Sequence, residues 1–252
     1  MTDFEFYNPV KIFFGKDQLG KLSSHIPADK KVMIIYGGGS IIRTGLYDKV
    51  KEVLKGYQTV DFGGIEPNPL YETAMKAVEL VKKEKVDFLL AVGGGSVLDA
   101  TKFIGAAALF GEGDPWDILS KKTPVTASLP FGTILTLPAT GSEMNKTAVI
   151  SRDSTNEKFS FASPWSFPQF SVLMPELAGT LPRKQVANGV VDAFIHVIEQ
   201  YLTYPANAPL QDRFAEGILL TLIETGPVVY ANPADYDAMA NLMWSATMAL
   251  NG

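Results

Sequence analysis

The run Phe88-Leu89-Leu90-Ala91-Val92 ends directly in Gly93-Gly94-Gly95-Ser96. The short apolar run reads as a β-strand. The three glycines constrain the turn that leaves this strand. A strand-to-helix turn without Cβ atoms lets backbone N–H groups approach a diphosphate closely, and the next helix adds its partial positive charge at that point. Ser96 is placed to cap that helix and to donate to a phosphate oxygen. A tight turn alone would account for one glycine more readily than for three followed by serine. The arrangement is not G-x-G-x-x-G, so a dinucleotide fold other than the commonest one is expected.

Around this feature the chain alternates short β-rich runs with helical stretches. Val32 to Tyr36 precedes Ile41 to Lys55, Gln58 to Phe62 precedes Tyr71 to Lys83, and Asp87 to Val92 precedes Val97 to Phe110. Repeated β-α units imply a mainly parallel sheet. Between Pro115 and Pro175 the helical period disappears, and Thr133 to Leu137, Ala148 to Ser151 and Ser171 to Met174 suggest strands or hairpins. Beyond Pro175, Arg183 to Thr203, Ala206 to Glu224 and Pro233 to Leu250 are helical in pattern, with Pro205, Gly226-Pro227 and Pro233 as breaks. The expectation is a doubly wound α/β domain over residues 1–176, then an all-α domain over 177–252.

A second glycine cluster, Gly37-Gly38-Gly39-Ser40, ends the Val32 to Tyr36 strand. Doubly wound folds commonly place an acid near the end of such a strand to read the adenosine ribose, and that acid would repel a 2′-phosphate. No acid lies between Lys31 and Tyr47. Open amides, the Ser40 hydroxyl and nearby Arg43 suit NADP(H) better than NAD(H), the alternative being a plain loop before a helix. In Leu137-Pro138-Ala139-Thr140-Gly141-Ser142-Glu143, the hydroxyls of Thr136, Thr140 and Ser142 are candidates for the phosphate and nicotinamide-ribose region, though such clusters more often make turns and caps.

The segment from Asn188 to Glu199 is apolar nearly all round except for one stripe holding Asp192, His196 and Glu199. Spacings of four and three put these on one helix face. On a mostly buried helix such groups must be paired, at a cost of several kcal/mol each otherwise. A divalent metal would satisfy Asp192 and His196 together; an Asp–His pair or a hydrogen-bonded core histidine is the competing account.

Composition narrows the options. With 22 Lys+Arg against 27 Asp+Glu and a formal charge of -5, no strongly basic surface for nucleic acid is expected. The absence of cysteine excludes disulfides and thiolate chemistry and is compatible with a reducing compartment. No run of about 18 consecutive apolar residues occurs, so a cytoplasmic protein without a membrane span is expected.

Together, Glu66-Pro67-Asn68-Pro69, Gly93 to Ser96 with Asp99 and Lys102, Thr140-Gly141-Ser142-Glu143, and Asp192 with His196 resemble the iron-containing, group III alcohol dehydrogenases, within them the NADPH-dependent butanol dehydrogenase and aldehyde reductase branch. The resemblance runs over essentially the whole chain. It implies a dehydroquinate synthase-like architecture, with a cleft between the α/β and helical domains that holds NAD(P) and one divalent metal, Fe²⁺ or Zn²⁺. By that resemblance Asn68, Gly93, Gly94, Gly95, Ser96, Asp99, Thr136, Thr140 and Lys158 contact cofactor; Gly37, Gly38, Gly39 and Ser40 accept the 2′-phosphate; and Asp192 and His196 ligate metal at the catalytic centre. The family continues well beyond this length, with two further histidine ligands there, whereas the histidines here are His25 and His196. A truncated chain is therefore expected, with uncovered apolar helix faces around Met243, Trp244 and Leu250.

The expected reaction is reversible hydride transfer between NADP(H) and an aldehyde or primary alcohol, by a homodimer formed through Phe4 to Phe14. Two rivals are a cyclase of the dehydroquinate synthase type, which would need more basic residues than Arg183, Lys184 and Arg213, and a nucleotide-binding protein without catalysis.

Overall fold

The structure, a computed structural model, describes residues 3–204 and 207–252. The expected break at Pro205 and helix start at Ala206 therefore lie outside the described residues. Eight strands are present among them: β1 (Lys11–Phe14), β2 (Lys31–Tyr36), β3 (Gln58–Phe62), β4 (Phe88–Gly93), β5 (Phe131–Leu135), β6 (Thr147–Arg152), β7 (Glu157–Ala162) and β8 (Phe170–Leu173). The helices are α1 (Leu22–His25), α2 (Ser40–Arg43), α3 (Leu46–Val53), α4 (Tyr71–Glu84), α5 (Gly95–Ala108), α6 (Asp117–Ser120), α7 (Pro175–Ala178), α8 (Arg183–Tyr201), α9 (Pro209–Ala231) and α10 (Tyr236–Asn251).

Six strands form one all-parallel sheet in the order β1-β8-β5-β4-β2-β3, while β6 and β7 make a separate antiparallel hairpin. Alternation along the strands feeds two cores. Met33, Ile35, Leu89 and Ala91 face one core with α4 and α5, and Val32, Ile34, Leu90 and Val92 face the other with Leu22, Leu46 and Val50. That two-sided burial is why β2 and β4 read as unbroken apolar runs. The doubly wound α/β half followed by helices is thus the observed architecture.

Several boundaries differ from expectation for physical reasons. The Ile41 to Lys55 stretch is two helices, because Gly45 adopts a left-handed φ of 74° that ends α2 and starts α3. Ser96 is not the cap of α5; Gly94 holds that position without a side-chain bond. The Thr133 to Leu137 run is shifted, β5 ending at Leu135. β1 and β7 were not anticipated: β1 has only four residues, and β7 is mostly exposed with a polar start, so neither shows an apolar run.

Gly226-Pro227 does not break a helix, since α9 runs through it to Ala231. The carbonyl that Pro227 cannot bond belongs to Ile223, which is 57% exposed and open to water, so the loss is tolerated there. Among the described residues α9 is long and apolar enough to span a membrane by length and composition, and it packs against both α8 and α10. Met243, expected on an open face, is buried with Met239, Leu242 and Ala246 on one stripe of α10, while Trp244 and Leu250 remain partly exposed.

Candidate functional site

Strand order locates the site. From β2 the chain moves outward to β3, and from β4 it moves the other way to β5 and β8. Adjacent strands whose connections part in opposite directions leave a crevice at their carboxyl ends, where ligands bind in open α/β sheets. Tyr36 of β2 pairs with Val92 of β4. The two glycine turns singled out in the sequence, Gly37 to Ser40 and Gly93 to Ser96, therefore emerge side by side. A Cβ on Gly37 would lie 3.6 Å from the side chain of Val97 in the first turn of α5.

The Gly93 to Gly95 turn has no positive φ; its glycines are required by close approach. A Cβ on Gly93 would stand 2.5 Å from Val97 Cγ2, one on Gly94 3.1 Å from Leu137 Cβ, and one on Gly95 2.5 Å from Thr140 Oγ1. Internal packing thus accounts for part of the triplet beside any ligand. Thr136 donates its backbone N–H to the Gly93 carbonyl (3.0 Å), so both Thr136 and Thr140 border the turn. At the neighbouring turn Gly39 is left-handed (φ 85°), and Ser40 and Arg43 are exposed, with Arg43 Nη1 donating to the Gly38 carbonyl at 3.4 Å.

The β6–β7 hairpin brings in a third part. Lys158 donates to Asn68 Oδ1 at 2.9 Å, joining two residues 90 positions apart that the resemblance had both assigned to cofactor. Asn68 is left-handed (φ 56°), a conformation asparagine tolerates better than most residues. The hairpin is anchored by Ser151 N–H to the Pro69 carbonyl, by Glu72 accepting from the amides of Asp153 and Ser154, and by Arg152. The Arg152 guanidinium lies 4.9 Å from the Tyr71 ring centre and 3.3 Å from Asp114 Oδ2. Burial and the hydrogen bond to Asp114 push the Tyr71 hydroxyl well above its ordinary range.

On α8, Asp192 Oδ1 and His196 Nε2 stand 3.9 Å apart, with side chains 44% and 21% exposed. Two donors bound to one Zn²⁺ or Fe²⁺ at about 2.0–2.2 Å stand about 3–3.6 Å apart, so the pair would close by a few tenths of an ångström to occupy two corners of a coordination shell. Among the described residues His196 Nδ1 is buried without a hydrogen-bond partner, an arrangement a protein rarely leaves unexplained. Glu199 is exposed, and among the described residues no group of three or more metal-ligating side chains converges. The helix is less buried than its sequence suggested, since Val191 and Ile195 are exposed opposite the packed Val186, Ala193 and Val197. Gly189 shares the face of Asp192 and His196 by its spacing. A Cβ there would stand 2.4 Å from the Pro138 carbonyl oxygen, so this face meets the loop that carries Thr140.

Asp99 is drawn inward: its oxygens accept from Ser142 Oγ (2.6 Å) and the Val149 amide (2.9 Å). Lys102, fully buried, donates to Ser142 Oγ, Asn145 Oδ1 and the Thr147 carbonyl at 2.7–2.9 Å. Burial pushes its ammonium down to about 8, opposed by Asp99 and Glu143. Burial likewise holds the Asp99 and Glu143 carboxyls above the ordinary range. Sequence reasoning did not find these roles for Lys102 and Glu143. The available signal was a pair of charges, Asp99 and Lys102, on a helix otherwise almost wholly apolar.

A family model described as "Iron-containing alcohol dehydrogenase" matches residues 9–175, and one described as "Fe-containing alcohol dehydrogenase family, C-terminal" matches residues 186–252. The chain is 56% identical over 254 residues to the NADPH-dependent aldehyde reductase YqhD of Escherichia coli, covering 100% of this chain and 66% of the relative. It is 43% identical over 255 residues to NADH-dependent butanol dehydrogenase B of Clostridium acetobutylicum, covering 100% and 65%. The crystal structure of NADH-dependent butanol dehydrogenase A from Thermotoga maritima superposes with a TM-score of 0.95 at 42% identity, covering 100% of this chain and 64% of that one. The chain thus spans about two thirds of the length of the relatives it matches.

Proposed function

The chain belongs to the iron-containing alcohol dehydrogenase family, and from that premise we propose that it is the nucleotide-binding and half the metal-binding part of an NADP(H)-dependent oxidoreductase acting on aldehydes and primary alcohols. The observation that carries this reading is the pairing of two glycine turns at one crevice, beside a loop that also meets the Asp192–His196 face. We take the boundary between the two domains to lie near residue 176.

Each residue has a role in this reading. Backbone amides of Gly93 to Ser96 and the α5 N-terminus take the diphosphate, bordered by Thr136 and Thr140, while Asp99 braces the loop behind. Gly37, Gly38, Gly39 and Ser40, with Arg43, take a 2′-phosphate; an acid there would repel it. Lys158 and Asn68 close over the nucleotide from the hairpin side. Asp192 and His196 would hold one Fe²⁺ or Zn²⁺, together with donors from the further length that the relatives have. When bound, NADP(H) supplies the hydride and the metal polarises the carbonyl, worth several kcal/mol of barrier. The protein's own work is to orient the two and to keep water away from them. A homodimer through residues 4–14 and a cytoplasmic setting belong to the same proposal.

Relatives named for NADPH and for NADH both match, so coenzyme choice is the first thing to test. Titrating the 252-residue chain by nicotinamide fluorescence should show NADPH binding at least about tenfold tighter than NADH, the scale of one lost charge-assisted contact. Equal affinities would remove the role given to Gly37 to Ser40. Butanal reduction by the protein at its relatives' full length should stop on chelation; turnover that persists after complete metal removal rejects the metal's part.

A further inference from the structure

We propose that Lys102 is a positioning residue for the nucleotide site: through Ser142 it holds Thr140 against Gly95 and so sets the shape of the turn that takes the diphosphate. The inference rests on the assignment of that turn to the diphosphate.

The chain of contacts is continuous. The Lys102 ammonium has three acceptors, Ser142 Oγ, Asn145 Oδ1 and the Thr147 carbonyl, all on the segment between the loop after β5 and the start of β6. Three is the full donor complement of an ammonium, so its direction in the core is fixed. Asp99, one helical turn earlier, grips the same segment through Ser142 Oγ and the Val149 amide. The Ser142 amide in turn donates to Thr140 Oγ1 at 3.3 Å. Thr140 then occupies the space where a Gly95 side chain would be, 2.5 Å from an ideal Cβ. The far side of the segment is held independently. Ser171 Oγ donates to the Glu143 carbonyl, and Asn251 Nδ2 donates to the Gly141 carbonyl. A segment pinned from three directions has one conformation, and Lys102 is the charge at its centre. A lysine with no task beyond filling space would be replaced by an apolar side chain at lower desolvation cost.

The test compares NADPH with adenosine 2′-phosphate, which lacks the diphosphate, on the 252-residue chain and its Lys102→Met variant. The variant should lose about tenfold or more in NADPH affinity, the scale of a sub-ångström misplacement. Adenosine 2′-phosphate should change by less than about twofold, as an independent site would. Equal losses for both ligands, or an unchanged NADPH affinity, overturn the proposal. If Lys102→Met does not fold, Asn145→Ala removes one of the ammonium's acceptors, together with the Asn145 bonds to the Gly141 carbonyl and the Thr147 amide, and should give the same pattern at about threefold. Amide exchange on the unliganded chain is the second arm. It should rise at 140–147 and at Gly95 and Ser96 in the variant and stay level at 37–40; no rise at Gly95 and Ser96 also overturns the proposal. A wild-type chain that takes no NADPH rejects the nucleotide assignment, and the exchange arm still decides the role of Lys102.

Discussion

Glu143 lies in the interior with Oε1 accepting from the Thr247 hydroxyl and Oε2 without a partner among the described residues. Burial is the largest cause holding its pKa above the ordinary 4.5, with Thr247 and Lys102 pulling the other way. Between 4.5 and that raised value the folded state keeps a proton the unfolded chain has released. Native stability therefore falls as pH rises through this window and is level above it. Glu143→Gln carries no charge to desolvate. At pH 7 it should be more stable than the native chain, by about 1–3 kcal/mol. The gap should narrow as the pH is lowered to about 5. Urea unfolding at both pH values checks this, and a variant less stable than native at pH 7 contradicts it. The shared face of Asp192 and His196 was legible in the sequence because a polar stripe on an apolar helix is a local pattern. Lys102 and Glu143 were not, since their burial depends on Ser142 and Thr247, 40 and 104 positions away.

The β6–β7 hairpin is the element that carries Lys158, and Arg152 is one of the residues that hold it to the rest of the α/β half. That guanidinium stacks near Tyr71 and Trp116 and pairs with Asp114. Arg152→Leu keeps an apolar body but loses the charge-assisted contacts. It should cost about 1–3 kcal/mol of stability and weaken NADPH through Lys158, whereas Arg152→Lys should lose less. Thermal unfolding alongside NADPH titration measures both, and an intact affinity in Arg152→Leu would show that the hairpin does not rely on this residue. At this scale the sequence was informative wherever burial was two-sided or periodic, as in β2, β3, β4, α4 and α8. It was silent on β1 and β7, which are short or solvated, and it misjudged Pro227, whose effect depends on which face its freed carbonyl meets.

Across the whole molecule, the helical half presents apolar surface that the described residues do not cover. Val191 and Ile195 on α8 and Leu220 and Ile223 on α9 are each 45–59% exposed. Patches of this kind drive association. The 252-residue chain should self-associate in solution, and Leu220→Glu with Ile223→Lys should reduce this while shifting stability by only about 0.5 kcal/mol per site. Light scattering with parallel unfolding curves tests it; a native chain that stays monomeric at high concentration refutes it. The neighbouring positions of β2 and β4 bear on how such a protein can change. Their spacing is locked by the ladder between Tyr36 and Val92, so under the proposed assignment the adenosine end and the phosphate end of a bound dinucleotide would be read by separate short turns on a common rigid edge. Rewriting the few side chains from Gly38 to Arg43 would then exchange one coenzyme for the other while the neighbouring turn kept its shape, leaving preference between coenzymes free to drift among otherwise similar proteins.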